Sequence, residues 1–204
     1  MSGSRPRLGI LLSGRGSNFE AIASHVANGQ LDCDIGFVLS NKPNAPGLAK
    51  ARELGLPCGC IPSAGMDRTE FDLQVSALLE QHRIDLVCLA GYMRLLTGQF
   101  VRKFPTRILN IHPSLLPAFP GLDAQYQALQ HGVKVSGCTV HFVDEDLDSG
   151  PILLQATVPV LDEDTVETLS LRILAQEHRL YSEAIAWVLK GNFRLEGRRV
   201  IKAF

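Results

Sequence analysis

The chain has no C-x-x-C pair, no excess of either charge and no apolar run of membrane-spanning length, and each gap removes a class of function. Its five cysteines, Cys33, Cys58, Cys60, Cys88 and Cys138, are odd in number and sit mostly inside apolar runs. Cys58 and Cys60 stand two apart, which is not a zinc-knuckle spacing, so free buried thiols in a reducing compartment, the cytoplasm, are expected. Twenty Lys and Arg against 21 Asp and Glu leave a formal net charge of −1, without the basic excess that a nucleic acid or an anionic membrane draws. Leu8–Leu12 is too short for the core of a signal peptide and runs straight into glycines, so no leader is expected.

What is present reads as one domain, 1–204, with 46% hydrophobic residues to fill its core. Strand-length apolar runs at Leu8–Leu12, Ile35–Leu39, Cys58–Ile61 and Ile84–Ala90, and one ending at His112, alternate with helical patterns. Those helices are expected at Phe19–Ala27, Gly47–Leu54, Phe71–Gln81 and Gly98–Lys103. After residue 130 the pattern changes. Val133–Val143 and Ile152–Val158 read as an antiparallel pair, Glu167–Leu189 as one long amphipathic helix, and Phe193–Leu195 with Val200–Ile201 as a terminal hairpin. The expected fold is α/β: a Rossmann-like open, mostly parallel sheet with helices on both faces and an antiparallel C-terminal extension of the sheet.

Residues 109–117 read Leu-Asn-Ile-His-Pro-Ser-Leu-Leu-Pro. Asn110 and His112 alternate with branched apolar residues, so strand geometry points both to one face. Prolines 113, 117 and 120 then stop the strand and stiffen its exit. Polar groups at the carboxyl end of a strand are equally consistent with a satisfied histidine and asparagine and with a catalytic site. A second segment, 139–151, reads Thr-Val-His-Phe-Val-Asp-Glu-Asp-Leu-Asp-Ser-Gly-Pro, a strand running into an acidic turn. After the first strand comes Ser13-Gly14-Arg15-Gly16-Ser17-Asn18, whose glycines and helix start suit an anion, although Ser17 or Asn18 could simply cap the helix. A dinucleotide fingerprint needs a third glycine where Phe19 stands and an acid where Ser40 and Asn41 stand, so a single phosphate monoester fits better than NAD.

The two segments L-N-I-H-P-S-L-L-P and H-F-V-D-E-D-L-D-S-G-P together resemble the folate-dependent formyltransferases, over about Arg7 to Leu189. Within that family the chain is similar to the branch that formylates glycinamide ribonucleotide in purine synthesis. The resemblance implies catalytic roles for Asn110, His112 and Asp148. It implies ribonucleotide binding by Gly16, Ser17, Asn18 and Glu177, the loop holding the 5′-phosphate. It implies 10-formyltetrahydrofolate as co-substrate, with no metal. The folate contacts it implies are Arg68, Leu89, Met93, Arg94, Leu95, Leu96, Phe100, Val101, Asn110, Val143, Asp144 and Leu147. Arg68 would pair with the folate glutamate carboxylate, and Leu116-Pro117 would be cis. Taken one at a time, Met93, Leu95 and Leu96 are ordinary core residues, and Arg68 sits in an ordinary helix start, Asp67-Arg68-Thr69-Glu70. Two positions depart from the family pattern: Leu174 stands where relatives carry a polar side chain, and Asp123 where some carry histidine.

Formyl transfer to an amine needs donors for an oxyanion and a route for a proton, not a serine or cysteine nucleophile. Asn110 offers an amide donor, and His112 a charged donor and a proton. Asp148, brought beside His112 by the hairpin turn, would favour the imidazolium. For His141, support of this cluster is one reading, and a structural hydrogen bond on an inward-facing strand is the expectation. The alternatives are a hydrolase releasing formate, a transferase on another amine, a metal hydrolase using His112, His141 and Asp148, and a non-catalytic phosphate-ligand sensor keeping the fold. The expected partners are the two small molecules, in a monomer or weak homodimer, with no nucleic acid and no membrane.

Overall fold

β1 (Arg7–Leu12) forms because its residues are apolar on both faces, and Leu8, Ile10, Leu11 and Leu12 are fully enclosed, as a strand covered on two sides requires. The computed structural model describes residues 5–203, and the chain divides into two units, one ending at Leu109 and the other starting at Asn110.

In the first unit β1 is followed by α1 (Ser17–Ala27), β2 (Asp34–Ser40), α2 (Pro46–Glu53), β3 (Cys58–Cys60), α3 (Arg68–Gln81), β4 (Leu86–Leu89), α4 (Gly98–Lys103) and the start of β5 (Ile108–His112). The strand order is β3-β2-β1-β4-β5, with β1 parallel to both β2 and β4 and β2 parallel to β3. Strand order reverses between β1 and β4, so the loops leaving their carboxyl ends flank a crevice of the kind where open α/β sheets bind ligands. Phe19, Ile22, Leu48, Phe71, Val75 and Leu79 bury the inward stripes of the helices.

The second unit holds the end of β5, then α5 (Ala124–Gln130), β6 (Val135–Phe142), β7 (Ile152–Pro159), α6 (Val166–Leu189), β8 (Phe193–Glu196) and β9 (Arg199–Lys202). Its order is β5-β6-β7-β9-β8; β6 and β7 run antiparallel, as do β8 and β9, while β9 meets β7 in parallel. α6 lies on β6 and β7 and buries Leu169, Ile173, Leu180, Tyr181, Ala184 and Ile185. The expected architecture is therefore found: parallel strands alternating with helices, then an antiparallel extension.

The differences are local. α3 extends ahead of the apolar stripe that opens at Phe71 to Arg68, at the helix start read in Asp67-Arg68-Thr69-Glu70, because the Asp67 carboxylate accepts from the amides of Thr69 and Glu70 at 2.8 and 3.2 Å. The strand expected from Ile84 starts at Leu86, since the Ile84 amide is spent on the Leu79 carbonyl at the end of α3. α5 is an element that hydropathy does not announce: seven residues, no side-chain cap, and a start at Asp123 with φ +56°.

Candidate active site

β5 ends in Asn110-Ile111-His112, and the prolines behind it turn the chain back toward its own strand end. The Leu116–Pro117 peptide is cis, as the resemblance implied. The return loop brings the Phe119 carbonyl to 2.8 Å from His112 Nε2. On the other side of the ring, His112 Nδ1 lies 3.4 Å from Asp148 Oδ2. Both ring nitrogens thus face acceptors, and the doubly protonated imidazolium is the form that satisfies both. The two side chains are 6% and 9% exposed, so the contact between them is poorly screened by solvent.

Asp148 is held from three directions. Its Oδ2 accepts the Gly121 amide at 2.8 Å, Oδ1 accepts Asn110 Nδ2 at 3.4 Å, and Oδ1 lies 3.7 Å from His141 Nε2. Burial pushes its carboxyl up, but hydrogen bonding, the Gly121 amide's included, and the charge of His112 outweigh that and hold it below its ordinary value. Phe119 and Asp148 both take positive φ, +54° and +48°. Such backbone costs about 1–3 kcal/mol per residue and persists where the surroundings over-determine it. Here both strained residues face the same imidazole.

His141 on β6 is 2% exposed. Its Nδ1 donates to the Phe142 carbonyl at 2.8 Å, the structural bond expected of it. That leaves Nε2 as an acceptor, and it lies 3.2 Å from Asn110 Nδ2. His141 therefore fixes which way the Asn110 amide points, a role that no local sequence signal carried. Gly150 locks the same corner: a Cβ there would collide with the Phe142 carbonyl oxygen that His141 uses. Gly150→Ala is expected to destabilise the fold by about 1–3 kcal/mol or more, the scale of overpacking against a rigid neighbour, read as a shift of the urea midpoint.

In the first unit, Gly16 is the N-cap of α1 with φ +80°, and its carbonyl accepts from the Glu20 amide at 2.8 Å. Ser17 opens the helix half-exposed, and Asn18 is buried. The helix N-terminus therefore presents amides and partial positive charge beside a glycine-lined approach. Among the described residues no group of three or more His, Cys, Asp or Glu is arranged to hold a metal ion, and no helix is long and apolar enough to cross a membrane.

The formyl transferase family pattern matches residues 7–185. The chain belongs to that family. It is 39% identical over 191 residues to the phosphoribosylglycinamide formyltransferase of Bacillus subtilis, covering 93% of this chain and 98% of that protein. It is 46% identical over 192 residues to the human trifunctional purine biosynthetic protein adenosine-3, covering 94% of this chain. It spans only about a fifth of that protein's length, 19%. The crystal structure of glycinamide ribonucleotide transformylase 1 from Symbiobacterium toebii superposes with a TM-score of 0.96 at 51% identity, over 100% of this chain and 96% of that one.

The remaining residues that the resemblance pointed to fall as follows. Met93 and Leu95 are 62% and 52% exposed, unlike the core residues that hydropathy alone suggests. Leu96 is half-buried, and Arg94 stacks 4.3 Å above the Phe71 ring. Leu89 and Phe100 are buried, Phe100 against Phe104 at 5.0 Å, while Val101 is half-buried. Arg68 is exposed on the first turn of α3. In the second unit Val143 and Asp144 are half-buried, Leu147 is 54% exposed, and Asp144 accepts the Ser149 hydroxyl at 2.9 and 3.0 Å. Glu177 is buried on α6, one turn from half-buried Leu174. Asp123 caps α5 through its backbone, its carbonyl accepting the Gln127 amide at 2.9 Å.

Proposed function

We propose that this chain transfers the formyl group of 10-formyltetrahydrofolate to the primary amine of glycinamide ribonucleotide, as a one-carbon transferase of purine biosynthesis. The observation that carries the reading is the imidazole of His112 held between the Phe119 carbonyl and Asp148, beside the oriented amide of Asn110. The substrate's amine attacks the formyl carbon and a C–N bond forms, leaving an oxyanion on the former carbonyl oxygen. For His112 to supply a charged N–H to that oxygen, Nε2 gives up the Phe119 carbonyl that it faces at 2.8 Å while Asp148 keeps its hold on Nδ1. The two Asn110 amide hydrogens face His141 and Asp148, with Nδ2 at 3.2 and 3.4 Å, so donation to the oxyanion takes one of these contacts in exchange. The attacking amine loses a proton, N10 of the folate gains one, and the C–N10 bond breaks; His112 with Asp148 is the relay suited to that exchange.

The proposed division of labour within this single domain, 1–204, gives the phosphate to Gly16, Ser17 and Asn18 in the first half and catalysis to the second. Glu177 is assigned to the ribonucleotide. The folate is assigned to Arg68, Leu89, Met93–Leu96, Phe100, Val101, Asn110, Val143, Asp144 and Leu147, its flat ring suited by apolar walls with a few directed polar groups. With no basic excess, the partners proposed are these two small molecules, without nucleic acid or membrane, in a cytoplasmic monomer or weak homodimer. A spectrophotometric assay of folate conversion with and without glycinamide ribonucleotide tests the reading. Turnover that depends on the amine is expected. Equal turnover without it would make the chain a hydrolase, and binding without turnover a sensor.

A further inference from the structure

The segment Met93–Leu96, which the proposed function makes a wall of the folate site, is gripped at both ends by side chains from elsewhere in the first unit. At one end the Met93 amide donates to Ser13 Oγ at 2.8 Å. At the other the Thr97 amide donates to Asp72 Oδ2 at 2.7 Å. Between these points, among the described residues, no amide from 92 to 96 enters a backbone–backbone hydrogen bond. A stretch that exposes Met93 and Leu95 to this degree, with no backbone ladder of its own, would sample many conformations unless something outside held it.

Both grips are built for rigidity. Ser13 is 4% exposed and Asp72 2%. The Ser13 hydroxyl hydrogen goes to Asn41 Oδ1 at 2.6 Å, and Asn41 Nδ2 goes on to Ser63 Oγ at 3.0 Å. The Ser13 oxygen accepts from the Met93 amide while its hydroxyl hydrogen goes to Asn41, so one side chain joins the wall to a buried polar chain. The Ser13 amide also donates to the Gly91 carbonyl at 3.1 Å, so one residue holds the turn before the wall by backbone and side chain together. Asp72 is buried, its Oδ1 has no hydrogen-bond partner among the described residues, and its Oδ2 is given to the Thr97 amide. A charged acceptor on a backbone amide makes a shorter, stronger bond than a neutral one. Its chain neighbour Phe71 lies under the Arg94 guanidinium, so the first turns of α3 support the middle of the segment as well as its end.

We propose that Ser13 and Asp72 are positioning residues for the folate co-substrate, a two-ended clamp that presets Met93–Leu96. This rests on the reading of that segment as a folate wall. The test is steady-state kinetics on Ser13→Ala, Asp72→Ala, Asp72→Asn and the wall variant Leu95→Ala, with thermal melts alongside. Ser13→Ala and Asp72→Ala are expected to raise the folate KM about tenfold, the scale of one buried hydrogen bond to a backbone amide. Their kcat and ribonucleotide KM should stay within about twofold of the parent. Asp72→Asn keeps an acceptor for the Thr97 amide and is expected to restore most of the folate KM. If Asp72→Ala does not fold, Ser13→Ala decides alone. The clamp is overturned if Leu95→Ala raises the folate KM while Ser13→Ala leaves it unchanged or raises both KM values together. A folate KM indifferent to Leu95→Ala overturns the wall reading itself, and the clamp with it.

Discussion

His112→Ala and Asp148→Ala are each expected to lower kcat at least about a hundredfold, or about 2.7 kcal/mol of transition-state stabilisation. The folate and ribonucleotide KM values should move far less, because neither side chain is among those proposed to bind the two ligands. The two variants should also be non-additive, since Asp148 acts on chemistry through the His112 ring 3.4 Å away. A double variant that loses the product of the two single effects would mean that the residues work independently. The same contact has a pH signature. Asp148 sits below its ordinary value of 3.8 in the folded protein, so it binds fewer protons there than in the unfolded chain. Its contribution to stability is therefore present above about pH 4 and is lost as pH falls through the folded value. Urea titrations across that range should show the parent's advantage over Asp148→Asn shrinking on acidification; an advantage that grows instead would contradict the contact network.

Ser17→Asp is expected to raise the ribonucleotide KM at least about thirtyfold while leaving the folate KM and the melting temperature nearly unchanged. A carboxylate in the first turn of α1 is favoured by the helix dipole, so the fold tolerates it. The same charge would repel a phosphate there: two unit charges 4 Å apart at an effective dielectric of about 20 interact by about 4 kcal/mol, more for a dianion and less after screening. Gly16 makes a poorer probe. Its φ of +80° and the Gly47 Cα, 2.9 Å from where a Cβ would sit, mean that any side chain disturbs α1 and α2 as well as the phosphate approach. Kinetics on Ser17→Asp with both substrates varied would settle the matter, and parallel rises in the two KM values would make the loop a structural turn.

The strands were legible because they are apolar on both faces, which is why Leu8–Leu12 and Ile35–Leu39 lie within a residue or two of β1 and β2. Their ends were less so, because strand ends are set by partners: the Arg7 amide is satisfied by Asp85 Oδ2 across 78 positions of sequence. α5 escaped because a seven-residue helix with a left-handed start has neither the length nor the capping pattern that marks a helix. Asn110, His112 and Asp148 were readable as a resemblance between two short segments, and the loop at Gly16 as glycines before a helix.

By itself the sequence determined which residues could carry the chemistry, since side-chain type and strand periodicity are local properties, and it argued against disulfide scaffolds and dinucleotide binding in the same way. Only the tertiary structure decided what those residues touch. The acceptors on His112 and the donor on Asp148 include backbone groups, the Phe119 carbonyl and the Gly121 amide, which every residue possesses and no sequence pattern advertises. The orientation of Asn110 depends on His141, 31 positions away, and the grip on Met93–Leu96 on Ser13 and Asp72, contacts set by where strands and helices pack. Long-range pairing is a property of the folded backbone, so the acceptors on both sides of the His112 ring are in place only once the chain has closed around it.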